Sequence, residues 1–294
     1  MIKYDPKSWV LHILSIHKSD TVRMLWKELL YMAILTSILT YIEITYLPNA
    51  KWTKDLMAVY SLVGFVLSLL LVFRTNTGYE RWWEGRKKWG ELVNNTRNLA
   101  IKINASSVSD ETKSFFRRMI PNITYAVKEH LRNGVVLEEL DLTTDERKLL
   151  DESSHIPNTL VNGMYNRLER EKKVGNISDV EMMIVDTNLK TFADIYGACE
   201  RIKNTPIPYS YSLFLKKFIV LYVTTMPLAF ITSFGYWSIL VVVFVFYVLV
   251  SMEVLAEEIE DPFGRDDNDL PTDELCEKIK ANCEEVFSTN FPEK

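Results

Sequence analysis

Residues 62–100 read LVGFVLSLLLVFRTNTGYERWWEGRKKWGELVNNTRNLA. An apolar run ends at Arg74 and passes into polar sequence rich in Trp, Arg and Asn. No proline interrupts the passage, and the only glycines are Gly64, Gly78, Gly85 and Gly90. Proline would remove a helical hydrogen bond and clash with the preceding turn, so its absence lets one helix run through both halves. A helix of this kind leaves a bilayer and continues into water as a single rod. It joins a membrane pathway to an aqueous domain, and it sets the expected fold class as all-α and membrane-embedded.

Working outward, four segments approach the ~20 apolar residues needed to cross the hydrocarbon core. They are residues 29–47, 56–73, 214–234 and 236–252. The first carries Glu43, and the third carries Lys216, Lys217 and Pro227. Basic residues set the orientation. Lys3, Lys7, Lys18, Arg23 and Lys27 precede the first span, and Arg74, Arg81, Arg86, Lys87 and Lys88 follow the second. Lys51 and Lys54 weigh weakly the other way. The balance puts both termini and the long middle segment inside the cell, in a multi-pass protein of the cell inner membrane. The expected organisation is a cytosolic arm (1–28), a hairpin of two spans (29–73), a cytosolic helical domain (74–211), a second hairpin (212–252) and an acidic cytosolic segment (253–294).

The chain has 294 residues and a formal charge of −5, which argues against nucleic acid as a partner. Residues 1–20 have neither a sustained apolar core nor a small-residue cleavage site, so they do not read as a secretory signal. Cys199, Cys276 and Cys283 are odd in number and suggest reduced thiols. Cys276 and Cys283 have no clustered His, so no zinc site is expected there. The histidines are His12, His17, His130 and His155, and none forms the Glu-x-x-His pair of a di-metal bundle. Glu129 and His130 are adjacent and cannot share a helix face. No phosphate-binding loop, Gly-x-Ser-x-Gly or His-Glu-x-x-His occurs, so an enzyme is not expected.

The middle segment is helical in pattern. Asp110 and Glu111 open one helix, which Pro121 should kink or divide. Another runs from Ser178, with Val180, Met183, Ile184, Leu189, Phe192, Ile195 and Tyr196 at helical spacing. Residues 132–175 between them are charged and turn-rich, with His155-Ile156-Pro157-Asn158 as a breaker. Within the second span, Phe65, Leu69 and Phe73 recur every four residues and share one face. Gly64 and Ser68 lie on a nearby face and permit close approach of another helix. Such a stripe can face lipid, pack on a neighbour, or line a pore whose apolar rings gate by dewetting. Tyr79, Arg81, Trp82, Trp83, Arg86, Trp89, Asn94, Asn95 and Arg97 exceed what an interfacial aromatic belt needs and imply packed helices beneath the membrane.

This signature, FRTNTGYERWWEGRKKWGELVNNTRNLA, resembles that of the bestrophin ion channels in their bacterial form. Thr205-Pro206-Ile207-Pro208-Tyr209-Ser210-Tyr211 before the third span is similar to the family's Ile-Pro segment. The run from Glu260 to Asp269 after the fourth span resembles its Asn-Pro-Phe-Gly-acidic run. The resemblance implies a homopentamer around one axial pore, with a neck at Phe65, Leu69 and Phe73 and a cytosolic aperture at Ile207. In animal members the acidic loop is a calcium clasp, and the matching positions here are Glu258, Asp261, Asp266, Asn268 and Asp269. Arg265 stands where an acidic residue is usual and Asp261 replaces the usual Asn, which should weaken calcium binding. No resident cofactor is therefore expected, with calcium at this loop as the alternative.

The function implied is passive conduction of monovalent ions. The neck holds no charged ring, but Phe edges turned to the axis would favour anions such as chloride. The alternatives are a sodium or potassium channel of the same architecture and a non-conducting membrane scaffold. The first draws on the acidic run of Glu257, Glu258, Glu260 and Asp261, which in a ring would collect cations at the inner mouth. The partners expected are monovalent ions, membrane lipid and copies of the same chain.

Overall fold

The computed structural model describes residues 21–46 and 52–289, so Lys3, Lys7, Lys18, Lys51, His12 and His17 lie outside the described residues. The described residues form ten α-helices and no strand. They are α1 (Thr21–Tyr46), α2 (Trp52–Ala105), α3 (Asp110–His130), α4 (Thr144–Asp151), α5 (Ile156–Val174), α6 (Asp179–Asn204), α7 (Tyr209–Thr225), α8 (Pro227–Phe234), α9 (Trp237–Glu260) and α10 (Thr272–Ser288). The rod expected over residues 62–100 is present as part of α2, which is 54 residues long. Among the described residues, four helical stretches are long and apolar enough to cross a membrane: Thr21–Tyr46, Leu56–Ala105, Tyr209–Phe234 and Trp237–Glu260.

The chain divides into two compact units, and α2 contributes its first part, up to Trp82, to one and the remainder to the other. The first unit holds α1, the apolar half of α2, α7, α8 and α9. Its core joins Leu67 and Leu71 of α2 to Leu215, Ile219 and Val223 of α7 and to Val242 and Phe246 of α9. Helices α1 and α9 pack along each other and share a polar seam. Thr40 and Ser238 pair at 3.2 Å, and the Ser251 hydroxyl donates to Thr21 Oγ1 at 3.0 Å. Glu43, which looked awkward in a span, is buried and accepts from the Thr232 hydroxyl at 3.2 Å. Polar groups inside a membrane are tolerated when they find such partners.

The second unit is a helical bundle of the lower half of α2 with α3, α4, α5, α6 and α10. Trp89, Leu92, Leu99 and Ile103 of α2 are buried, as are Phe116 and Ile120 of α3 and Phe192 of α6. An amide pair fixes α2 against α6: Asn95 Nδ2 donates to the Asn188 carbonyl at 2.9 Å, and Asn188 Nδ2 donates to Asn95 Oδ1 at 2.7 Å. The three cysteines are buried and free, and burial pushes each thiol up to about 12.

Two expectations change here. Helix α3 passes through Pro121 undivided. The segment read as turns holds two helices, α4 and α5, and His155 caps the second rather than breaking the chain. Its Nδ1 accepts the Asn158 N–H at 3.2 Å, and Pro157 sits in the first turn, where its missing N–H costs nothing. Val180, Met183 and Ile184 do not pack inward, and each is exposed at the start of α6.

Candidate functional site

The rotation of α2 about its own axis is set by what it buries. Leu67 and Leu71 are 0% and 4% exposed. Gly64 sits so close to α7 that an added Cβ would lie 2.6 Å from the Tyr222 hydroxyl oxygen. With those groups turned inward, Phe65, Leu69 and Phe73 project from the first unit, at 67%, 46% and 57% exposure. The three residues picked out by spacing therefore share a face outside the first unit's own core. Ser68 and Thr77 on this exposed side donate back to the Gly64 and Phe73 carbonyls at 2.8 and 2.9 Å. Ser68 does not serve the close contact expected of it; Gly64 does.

Directly after Phe73 comes Arg74, whose side chain is 1% exposed. Its NH2 donates to Glu260 Oε2 at 2.7 Å, and its Nε lies 3.6 Å from Glu253 Oε2. Glu253 and Glu260 are seven residues apart on α9 and so face the same way. The other oxygen of Glu260 accepts the backbone N–H of Ile207 at 2.6 Å. Its main-chain carbonyl accepts from Arg81 Nε at 3.1 Å. Glu260 thus ties the end of the apolar stripe to Ile207, the residue matched to the aperture. A buried guanidinium needs such partners, because desolvation of an unpaired charge costs several kcal/mol. Its partners lie some 180 residues away in the chain, beyond any local sequence signal.

The other end of the acidic run is engaged as well. Glu257 pairs with Lys216 at 2.8 Å, and Glu258 accepts from Asn268 Nδ2 at 2.7 Å. Trp82 Nε1 donates to the Asn268 carbonyl at 3.1 Å. Asp261 and Asp266 are exposed. In the second unit, Asp269 is buried beside Gly264, and the Arg265 guanidinium reaches Glu129 at 3.3 Å. Among the described residues, the one cluster of three or more His, Cys, Asp or Glu with converging ligand atoms is elsewhere, at His130, His155 and Glu200.

Comparison with known proteins agrees with this architecture. The chain is 37% identical over 232 residues to a voltage-dependent anion channel-forming protein of Nostoc sp., covering 76% of each chain. It is 30% identical over 231 residues to the voltage-dependent anion channel-forming protein YneE of Escherichia coli K12, covering 78% of this chain and 76% of that one. It also superposes on a bacterial bestrophin homologue from Klebsiella pneumoniae with a TM-score of 0.81 at 27% identity, covering 89% and 98% of the two chains. Residues 1–285 match the family described as Bacterial/Fungal Bestrophin protein. The chain, a membrane protein with an all-helical fold, belongs to the bestrophin family, in its bacterial and fungal branch.

Proposed function

We propose that this chain is one subunit of a homopentameric channel of the cell inner membrane that passes monovalent anions, chloride among them, down their gradient. The four apolar helical stretches are its spans, both termini and the second unit lie in the cytosol, and α2 lines the pore. Phe65, Leu69 and Phe73 form the neck, and Ile207 forms the cytosolic aperture. One observation carries this reading. The apolar stripe is turned away from the protomer's core by the packing of Leu67, Leu71 and Gly64, on the helix that also carries Arg74. Rings of such side chains narrow a pathway without fixing a charge in it.

The anion preference draws on the channel-forming relatives and on the state of the acidic run. Glu257 and Glu260 are paired with Lys216 and Arg74, which offsets part of the negative charge that the acidic run would present to cations. The exposed Val180, Met183 and Ile184 support assembly, since apolar side chains standing together in water favour a covering neighbour. Conduction in this scheme needs no resident calcium and no covalent chemistry.

The test is a planar bilayer holding the purified protein under a KCl gradient. A current whose reversal potential follows chloride is expected, and one that follows potassium would make it a cation channel instead. Phe73→Ala and Leu69→Ala should raise conductance by widening the neck. Unchanged conductance and gating in both would remove the neck assignment, and no current from any of the three would leave the scaffold reading. Light scattering in detergent should give the protein mass of five chains; a monomer or dimer would sink the ring.

A further inference from the structure

The second unit brings together three groups that lie far apart in the chain. His130 ends α3, His155 caps α5, and Glu200 lies near the end of α6. Both imidazole Nε2 atoms lie 2.8 Å from the same oxygen, Glu200 Oε1. The two rings are 4.7 Å apart between centroids, and all three ligand atoms fall within 4.8 Å of one another. The side chains of His130, His155 and Glu200 are 28%, 29% and 26% exposed, so an ion and its waters can reach them. We propose that His130, His155 and Glu200 form a binding site for a first-row divalent cation, with zinc the best match.

The donor set selects the ion. Two imidazoles and one carboxylate are a combination that zinc takes with water in its fourth position. Calcium and magnesium prefer all-oxygen sites, so they compete poorly here. The ligands are also held in place. The His155 backbone N–H donates to Ser153 Oγ at 3.3 Å, and the ring lies 5.7 Å from that of Tyr196. The Tyr196 hydroxyl in turn donates to Asn158 Oδ1. Neighbouring Arg201 does not crowd the site with positive charge, because its guanidinium pairs with Glu84 at 2.6 Å.

Proton positions make binding a switch of state at α5. His155 Nδ1 accepts the Asn158 N–H, so in the metal-free neutral ring Nε2 carries the proton and donates it to Glu200. A cation at Nε2 displaces that proton. The neutral ring then carries its proton on Nδ1 and ceases to accept from Asn158. Metal capture therefore exchanges the helix-capping bond and the two imidazole–Glu200 hydrogen bonds for three coordination bonds that clamp α3, α5 and α6 together.

The experiment uses full-length protein in detergent, stripped with chelator and titrated with zinc chloride against a chromophoric competitor. One zinc per chain is expected. X-ray absorption on the zinc-loaded wild type should show two imidazole ligands. His130→Asn and Glu200→Gln should each weaken binding by more than ~10-fold, with helicity and elution volume unchanged. A His12→Ala/His17→Ala variant should bind as wild type does. Less than one zinc per chain, fewer than two imidazoles, or loss of the site with His12 and His17 would each overturn the proposal. So would full affinity in a His130→Asn/Glu200→Gln double variant. The absorption measurement needs no variant, so it decides the matter even where a substitution impairs folding. None of these readouts depends on whether the protein conducts.

Discussion

At the residue scale, two carboxylates show how burial and hydrogen bonding set a side chain's task. Glu260 accepts from Arg74 NH2 through one oxygen and from the Ile207 N–H through the other. Glu260→Leu removes both and strands a buried guanidinium with Glu253 alone, which should cost about 3–5 kcal/mol. Glu260→Gln keeps an acceptor for Ile207 and should cost visibly less. Thermal melts of the two variants check the order, and equal losses would mean that the Ile207 bond contributes nothing. Glu171 is buried in the second unit. Burial alone would raise its carboxyl, but hydrogen bonds from Ser109, Thr112 and Asn176 and the Ser109 N–H outweigh it and hold the group at about 2. A folded value below the ordinary 4.5 stabilises the protein above that pH, and the contribution fades as pH falls through about 2. The full difference is about 3 kcal/mol. Glu171→Gln should therefore lower the melting temperature at neutral pH and flatten its decline on acidification; a parallel decline in both proteins would refute the assignment. Some of this scale was legible in the sequence. The four-residue spacing of Phe65, Leu69 and Phe73 identified their common face, because helical period is a local property. The partners of Arg74 and the meeting of His130, His155 and Glu200 were not, because each depends on segments brought together only by the fold.

At the element scale, the local rules worked where a helix begins with its own signal. Ser109 before Asp110, and Ser178 with Glu181, cap α3 and α6 as their chemistry suggests, the second as a full capping box. Thr143 and Glu146 do the same for α4, within a stretch whose charges mask the signal. The His155–Asn158 segment carried both a proline and a capping side chain, and a proline in the first turn starts a helix as readily as it stops one. Pro121 shows the converse. Core burial of Phe116, Ile120 and Ile123 around it holds α3 together across the proline. The contact of α2 with α7 offers a test of close approach. Gly64→Ala would drive a methyl against the Tyr222 hydroxyl and should destabilise by about 1–3 kcal/mol. Tyr222→Phe alone forfeits its bond to the Tyr60 carbonyl, worth about 1 kcal/mol. The double variant should be no worse than Tyr222→Phe, as read by melting temperature. Additive losses would show that the contact lies elsewhere.

At the scale of the whole molecule, composition alone was a poor guide. Apolar residues are bunched into four helical stretches, while the second unit has a capped, charge-decorated surface typical of a protein in water. The order of apolar and polar segments carried the architecture, and α2 is where they are joined in one element. The Arg74–Glu260 tie has a consequence for heredity. In a ring of identical copies, each subunit would carry its own tie between stripe and aperture, and a single loosened subunit would deform the shared opening. A cell expressing Glu260→Leu beside the wild-type chain should therefore show the altered conductance in most of its rings, as a dominant trait. Co-expression followed by single-channel recording would reveal it, and a simple mixture of two unaltered populations would show that each subunit guards its opening alone.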